Sequence, residues 1–161
     1  MTIPLRQQLL LGALLLVSTG VGILRIAEAR NEAAVGGGGV RPLDVARTQE
    51  RVGFGRILAE LERLGQGAFR DRLLALQGRG ALWLAPGMPP HHWALYVDSF
   101  GLVRRIYVRE QALVSPEAHL FPDGAAGIPW AKQRAFASIS LAGALYHELL
   151  HYDGIDAESE A

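Results

Sequence analysis

The hydrophobic period of this chain changes twice along its length, and that restricts the fold more than any single residue does. From Asp44 to Gln77, Ile57, Leu58, Leu61 and Leu64 recur at three- and four-residue spacing with Glu60, Glu62 and Arg63 on other faces, which predicts a helix. Gly65-Gln66-Gly67 interrupts it, and Phe69, Leu73, Leu74 and Leu76 predict a second helix. Between Ala81 and Leu113 the texture becomes that of strands: Ala81–Ala85, Trp93–Asp98 and Leu102–Arg109 are rich in β-branched and aromatic residues, and Asp98-Ser99-Phe100-Gly101 reads as a hairpin turn. Arginine falls on both faces of the third segment, as Arg105 and Arg109 on one and Arg104 on the other, which predicts an edge strand. Ser115-Pro116, Pro122-Asp123-Gly124 and Ile128-Pro129 mark an irregular loop. A last helix is predicted over Trp130–Tyr152, with Pro129 suited to its first turn and Gly154 to its end. Strands held between helical blocks predict an α+β fold with a small, mostly antiparallel sheet.

Ahead of this domain, Leu9–Leu24 is an apolar run of 16 residues without charge, preceded by Arg6 and followed by Arg25, Glu28 and Arg30. Its leucines make the mean hydropathy of the chain positive, at +0.16. Two readings fit: a membrane-anchoring helix at the short end of the ~17–25 residues that span a bilayer, or a signal peptide cut at Ala27-Glu28-Ala29. Both place the remainder outside the cytoplasm, as a single-pass membrane-anchored protein or as a secreted or periplasmic one. Gly36–Gly39 lacks the Lys-Ser/Thr ending of a phosphate loop and reads as a flexible spacer. The expected organisation is therefore an anchor or signal over residues 1–29, a linker over 30–42 and a folded domain over 43–161.

Charge and cysteine content exclude several functions. With 16 Lys+Arg against 16 Asp+Glu the chain has no basic surplus with which to neutralise nucleic-acid phosphates. The absence of cysteine removes disulfide scaffolds, thiolate metal clusters and cysteine nucleophiles.

The predicted last helix contains His147-Glu148-Leu149-Leu150-His151. Two histidines four apart share one helical face, so both imidazoles can reach one Zn2+ ion at about 2.0–2.1 Å. Glu148 is turned about 100° from His147, beside rather than among the ligands, where it can take a proton from a metal-bound water. A third ligand is expected from the acidic tail. If the chain reverses at Gly154, an antiparallel second helix brings Glu160 level with the point between the histidines; Glu158 is the second choice, and the two cannot both face the metal because they point about 200° apart. His91-His92 and His119 fall in loops, where they either line a cleft or sit on the surface, and Tyr146 reads as core or as a neighbour of the metal ligands.

The stretch HELLHYDGIDAESEA resembles the active-site helix and ligand segment of zincin metallopeptidases, and of the gluzincin type in particular, with a compact short spacer. That resemblance implies a zinc-dependent enzyme hydrolysing peptide bonds of a peptide or protein substrate, with His147, His151 and Glu160 as metal ligands and Glu148 as general base. It also implies a substrate strand laid along an edge strand, for which Leu102–Arg109 is the candidate, with Arg104, Arg105 and Arg109 either selecting acidic side chains or serving as solvated edge charges. The alternative is a membrane-tethered zincin-like module that binds metal or peptide without turnover.

Overall fold

The computed structural model describes the backbone of residues 5–155 and the side chains of residues 17–155. In chain order the elements are α1 (Leu5–Ala34), β1 (Arg41–Pro42), α2 (Thr48–Arg63), α3 (Gly67–Gly78), β2 (Leu82–Ala85), β3 (Ala94–Ser99), β4 (Val103–Arg109), α4 (Glu110–Val114), α5 (Pro116–Leu120) and α6 (Trp130–Tyr152). The fold is α+β, as the change of period predicts.

The sheet has the order β1-β2-β4-β3 and is mixed, not mostly antiparallel: β1–β2 and β3–β4 run antiparallel, but β2 and β4 are parallel. The chain leaves β2, reaches the far side through Pro86–Trp93, and returns to β2 as β4. Alternation then sends residues to two cores. Leu82, Leu84, Ala94, Ile106 and Val108 face α2, α3 and α6, packing with Phe54, Ile57, Leu61, Leu73, Leu76, Leu141 and Leu145. On the other face Ala85 and Tyr107 pack with Met88 and with Val35, just past the end of α1.

This order corrects the expectation that Leu102–Arg109 is an edge. β4 lies between β2 and β3, with Ile106 and Tyr107 fully buried. Its arginines are tolerated because β2 pairs only with Ile106–Arg109. Arg104 and Arg105 lie beyond the end of β2, where Arg105 stacks on Trp83 at 3.6 Å and donates to Glu28 of α1. The outer edge is β3.

Asn31 fastens α1 to the β3–β4 hairpin. It is fully buried, donates through Nδ2 to the Val103 carbonyl at 3.2 Å and accepts from the Ser99 hydroxyl at 2.6 Å. The turn between these strands puts Phe100 and Gly101 both at positive φ, 61° and 67°, with the Leu102 amide donating to the Ser99 carbonyl. Two consecutive left-handed residues match the twist that a tight hairpin requires.

The described part of α1, residues 17–34, carries Arg25, Glu28, Arg30 and Glu32, and among the described residues no helix is long and apolar enough to cross a membrane. The expected anchor is overturned. With it goes the support for a membrane partner and for an extracytoplasmic, single-pass membrane-anchored localisation. Residues Leu9–Leu16 of the apolar run lie outside the described side chains.

Replacing Asn31 by Ala leaves the buried Ser99 hydroxyl and Val103 carbonyl without these partners, and is expected to lower the unfolding free energy by about 1–3 kcal/mol. Urea denaturation of N31A beside wild type measures it.

Candidate functional site

The C-terminal half of α6 forms as its sequence predicts. Leu141, Leu145 and Leu149, at four-residue spacing, are buried against the sheet and α2. The same rotation places His147 and His151 one above the other, their rings 4.6 Å apart edge-on and their Nε2 atoms 3.1 Å apart. Among the described residues, neither ring has a third metal-ligating side chain beside it. At that separation one ring can donate its Nε2–H to the other's unprotonated Nε2, a contact made on the exposed side of α6. Glu148 points toward the sheet, and its Oε2 accepts a hydrogen bond from the Tyr96 amide at 2.6 Å.

Among the described residues, no three His, Asp, Glu or Cys side chains come together as a metal site. Asp153, the nearest acid after the motif, is held by Arg72 of α3. Glu158 and Glu160 lie outside the described residues. The expectations of a Zn2+ cofactor, a zinc metallopeptidase with Glu148 as general base, and a zincin-like metal-binding module are therefore withdrawn.

The peptide substrate or ligand loses its place for a second reason. β3 pairs with β4 on one side only, and at Tyr96 the outward amide that a docked strand would use is taken by Glu148. Further along the same edge, Tyr96 and Tyr152 meet edge-to-face at 5.8 Å, and Arg104 donates to the Tyr96 hydroxyl at 3.1 Å and to the Tyr152 carbonyl. The end of α6 thus closes the edge strand.

The remaining candidates are dispersed. His91 and His92 stack on each other at 4.2 Å in the β2–β3 connection. Tyr146 meets Phe69 edge-to-face at 5.3 Å and lines an apolar groove of about 310 Å3 with Leu61, Leu64 and Ile139. His119, on α5, packs edge-on against Trp93 at 4.4 Å, and its Nδ1 accepts from Arg109 at 3.1 Å. Arginine has no acceptor to offer, so the ring is neutral with its proton on Nε2. Burial first, and the Arg109 charge second, hold the His119 pKa below its ordinary 6.5.

A polar site that the sequence did not announce lies at the opposite end of α6, where α2, the α4–α5 junction and the first turns of α6 enclose a cleft of about 430 Å3. Thr48, Gln49, Val52 and Arg56 line it from α2, Val114, Ser115 and Glu117 from α4 and α5, and Arg134 from α6. The close approach of α2 to α4 depends on Gly53, where a Cβ would lie 2.4 Å from the Leu113 carbonyl oxygen. Glu117 is 95% buried; its Oε1 accepts from Arg134 at 3.2 Å, while Oε2 lies 3.9 Å from Arg56 Nη1, an ion pair too long for a hydrogen bond. Glu117 Oε2 and Arg134 Nε are buried with no hydrogen-bond partner among the described residues. Arg56 also donates to the Val114 carbonyl at 3.1 Å. Burial, and then the Arg134 charge, lower its pKa against the opposing pull of Glu117. Two guanidiniums share one carboxylate, and the cleft keeps one uncompensated positive charge.

Compared with family models, with curated proteins and with solved structures, the chain matches none. The resemblance of HELLHYDGIDAESEA to zincins thus has no support from relatives, as it has none from a metal site among the described residues.

Two outcomes follow from these contacts. Glu148→Ala removes the acceptor at the β3 edge and is expected to cost about 1–3 kcal/mol of stability, whereas Glu148→Gln, which keeps an acceptor oxygen, costs less; thermal unfolding of both variants measures the difference. For His119, the unfolded chain takes up its proton before the folded one, so this contribution to stability is complete above pH 6.5 and is lost as pH falls toward the depressed folded pKa. Denaturant unfolding between about pH 7 and about pH 5.5 should show stability falling with pH in wild type and a shallower fall in His119→Asn, which retains an acceptor for Arg109 without titrating.

Proposed function

We propose that the chain is a binding module for a small organic acid, taken up in the cleft between α2, the α4–α5 junction and α6. The observation that carries this reading is the shared counter-ion: Arg56 and Arg134 both address Glu117, so one positive charge in a half-enclosed space has no partner. A carboxylate or phosphoryl group can accept from both guanidiniums through charge-assisted hydrogen bonds. Thr48 and Gln49 stand at the first turn of α2, whose amides have no partner within the helix and whose dipole favours an anion. Ser115 and Thr48 add hydroxyls. Val52, 50% exposed, and Val114 offer an apolar wall for the rest of the molecule. A volume of about 430 Å3 suits a small metabolite and is far larger than a bare ion needs.

His147, Glu148 and His151 take a different part in this proposal. Glu148 ties α6 to the β3 edge, and His147 and His151 contact each other on the exposed side of the same helix, whose other end presents Arg134.

Titration with propionate, followed by amide chemical shifts, is expected to perturb residues of α2's first turns, the α4–α5 junction and the start of α6. Arg56→Gln and Arg134→Gln should each weaken binding by about tenfold or more, the loss of one charge-assisted contact of about 1.5–3 kcal/mol. Shifts elsewhere in the chain, or binding indifferent to both substitutions, would contradict the reading.

A further inference from the structure

The composition of the cleft also bears on the charge of its ligand. We infer that Glu117 is its specificity-determining residue, an internal counter-charge that admits monoanions and rejects dianions; this rests on the anion-binding reading above.

The geometry supports the inference in three steps. Both guanidiniums that a ligand would use lie within 4 Å of the Glu117 carboxylate, Arg134 at 3.2 Å and Arg56 at 3.9 Å. An acid group at charge-assisted hydrogen-bond distance from Arg56 Nη1, about 2.8 Å, therefore sits within about 7 Å of Glu117 Oε2. Burial of Glu117 keeps water from screening that proximity. One ligand charge neutralises the surplus of the cleft; for a second, Glu117 offsets part of the pull of the arginines, and the reduced attraction no longer covers the cost of taking that charge out of water.

The neighbouring charged groups do not line the cleft: Arg109 keeps its charge while bonded to the neutral His119, and Arg41 is paired with Glu50 and Glu110. Glu117 is thus the one carboxylate lining the cleft.

The test compares propionate with sulfate, by calorimetric titration at fixed ionic strength, in wild type and Glu117→Gln. Wild type should bind propionate and bind sulfate more weakly. Glu117→Gln leaves two uncompensated arginines, and sulfate should gain at least tenfold relative to propionate. Should Glu117→Gln fail to fold, wild type still decides with methanesulfonate, which has the shape of sulfate but one charge and should bind at least tenfold more tightly than sulfate. An unchanged sulfate-to-propionate ratio in Glu117→Gln, or sulfate bound by wild type as tightly as methanesulfonate, overturns the role of Glu117 while leaving anion binding intact. If neither protein binds any of the probes, the anion-binding reading itself fails.

Discussion

The burial of β4 between two cores is the interaction on which the other elements depend. Ile106 and Val108 close one core against α2, α3 and α6; Tyr107 closes the other against Val35 and Met88. β3 and β2 both register on β4, and its last residue leads directly into α4. The direction and position of that exit decide where Ser115 and Glu117 lie, and so where a carboxylate is found between the arginines of α2 and α6. Removing apolar volume at Ile106 or Tyr107 would disturb the sheet and the cleft together.

Two ends of one helix carry opposite characters as a result. At its C-terminus α6 closes the free edge of the sheet: Glu148 takes the Tyr96 amide, and Arg104 joins Tyr96 to Tyr152. At its N-terminus the same helix leaves Arg134 sharing Glu117 with Arg56. The HELLH sequence is compatible with metal chemistry on any exposed helix, since its spacing alone aligns two histidines. What distinguishes a metal centre is convergence from a second element. Among the described residues, what β3 and β4 bring to this end of α6 is the Tyr96 amide and ring and Arg104, which complete hydrogen bonds and stacking contacts within the fold.

Much of the architecture was legible because burial imposes a period on sequence. Leu141, Leu145 and Leu149, bounded by Pro129 and Gly154, define α6 as observed, and Gly154 adopts the positive φ of 80° that stops it. The strands were equally clear, but their order was not. Arginines on both faces of β4 suggested an edge because local alternation cannot reveal that β2 covers only the second half of the strand. The short helix α5 falls in the stretch that Ser115-Pro116 marks as loop, and α4 lies almost wholly at the end of the strand-textured stretch; Pro116 occupies the first turn of α5, where its missing amide costs nothing. The cleft was illegible for a more basic reason. Arg56, Glu117 and Arg134 come from three elements, with no common period, and only the fold brings their charges within 4 Å.

The central claim is that this convergence of charge binds an organic acid. The most direct measurement is a crystal structure of the protein soaked with 3-bromopropionate, in which the anomalous signal of bromine locates the ligand. The account predicts a bromine peak over Val52 and Val114, with the carboxylate bridging Arg56 and Arg134. A peak at any other surface, or an unoccupied cleft in crystals that leave it open to solvent, would contradict it.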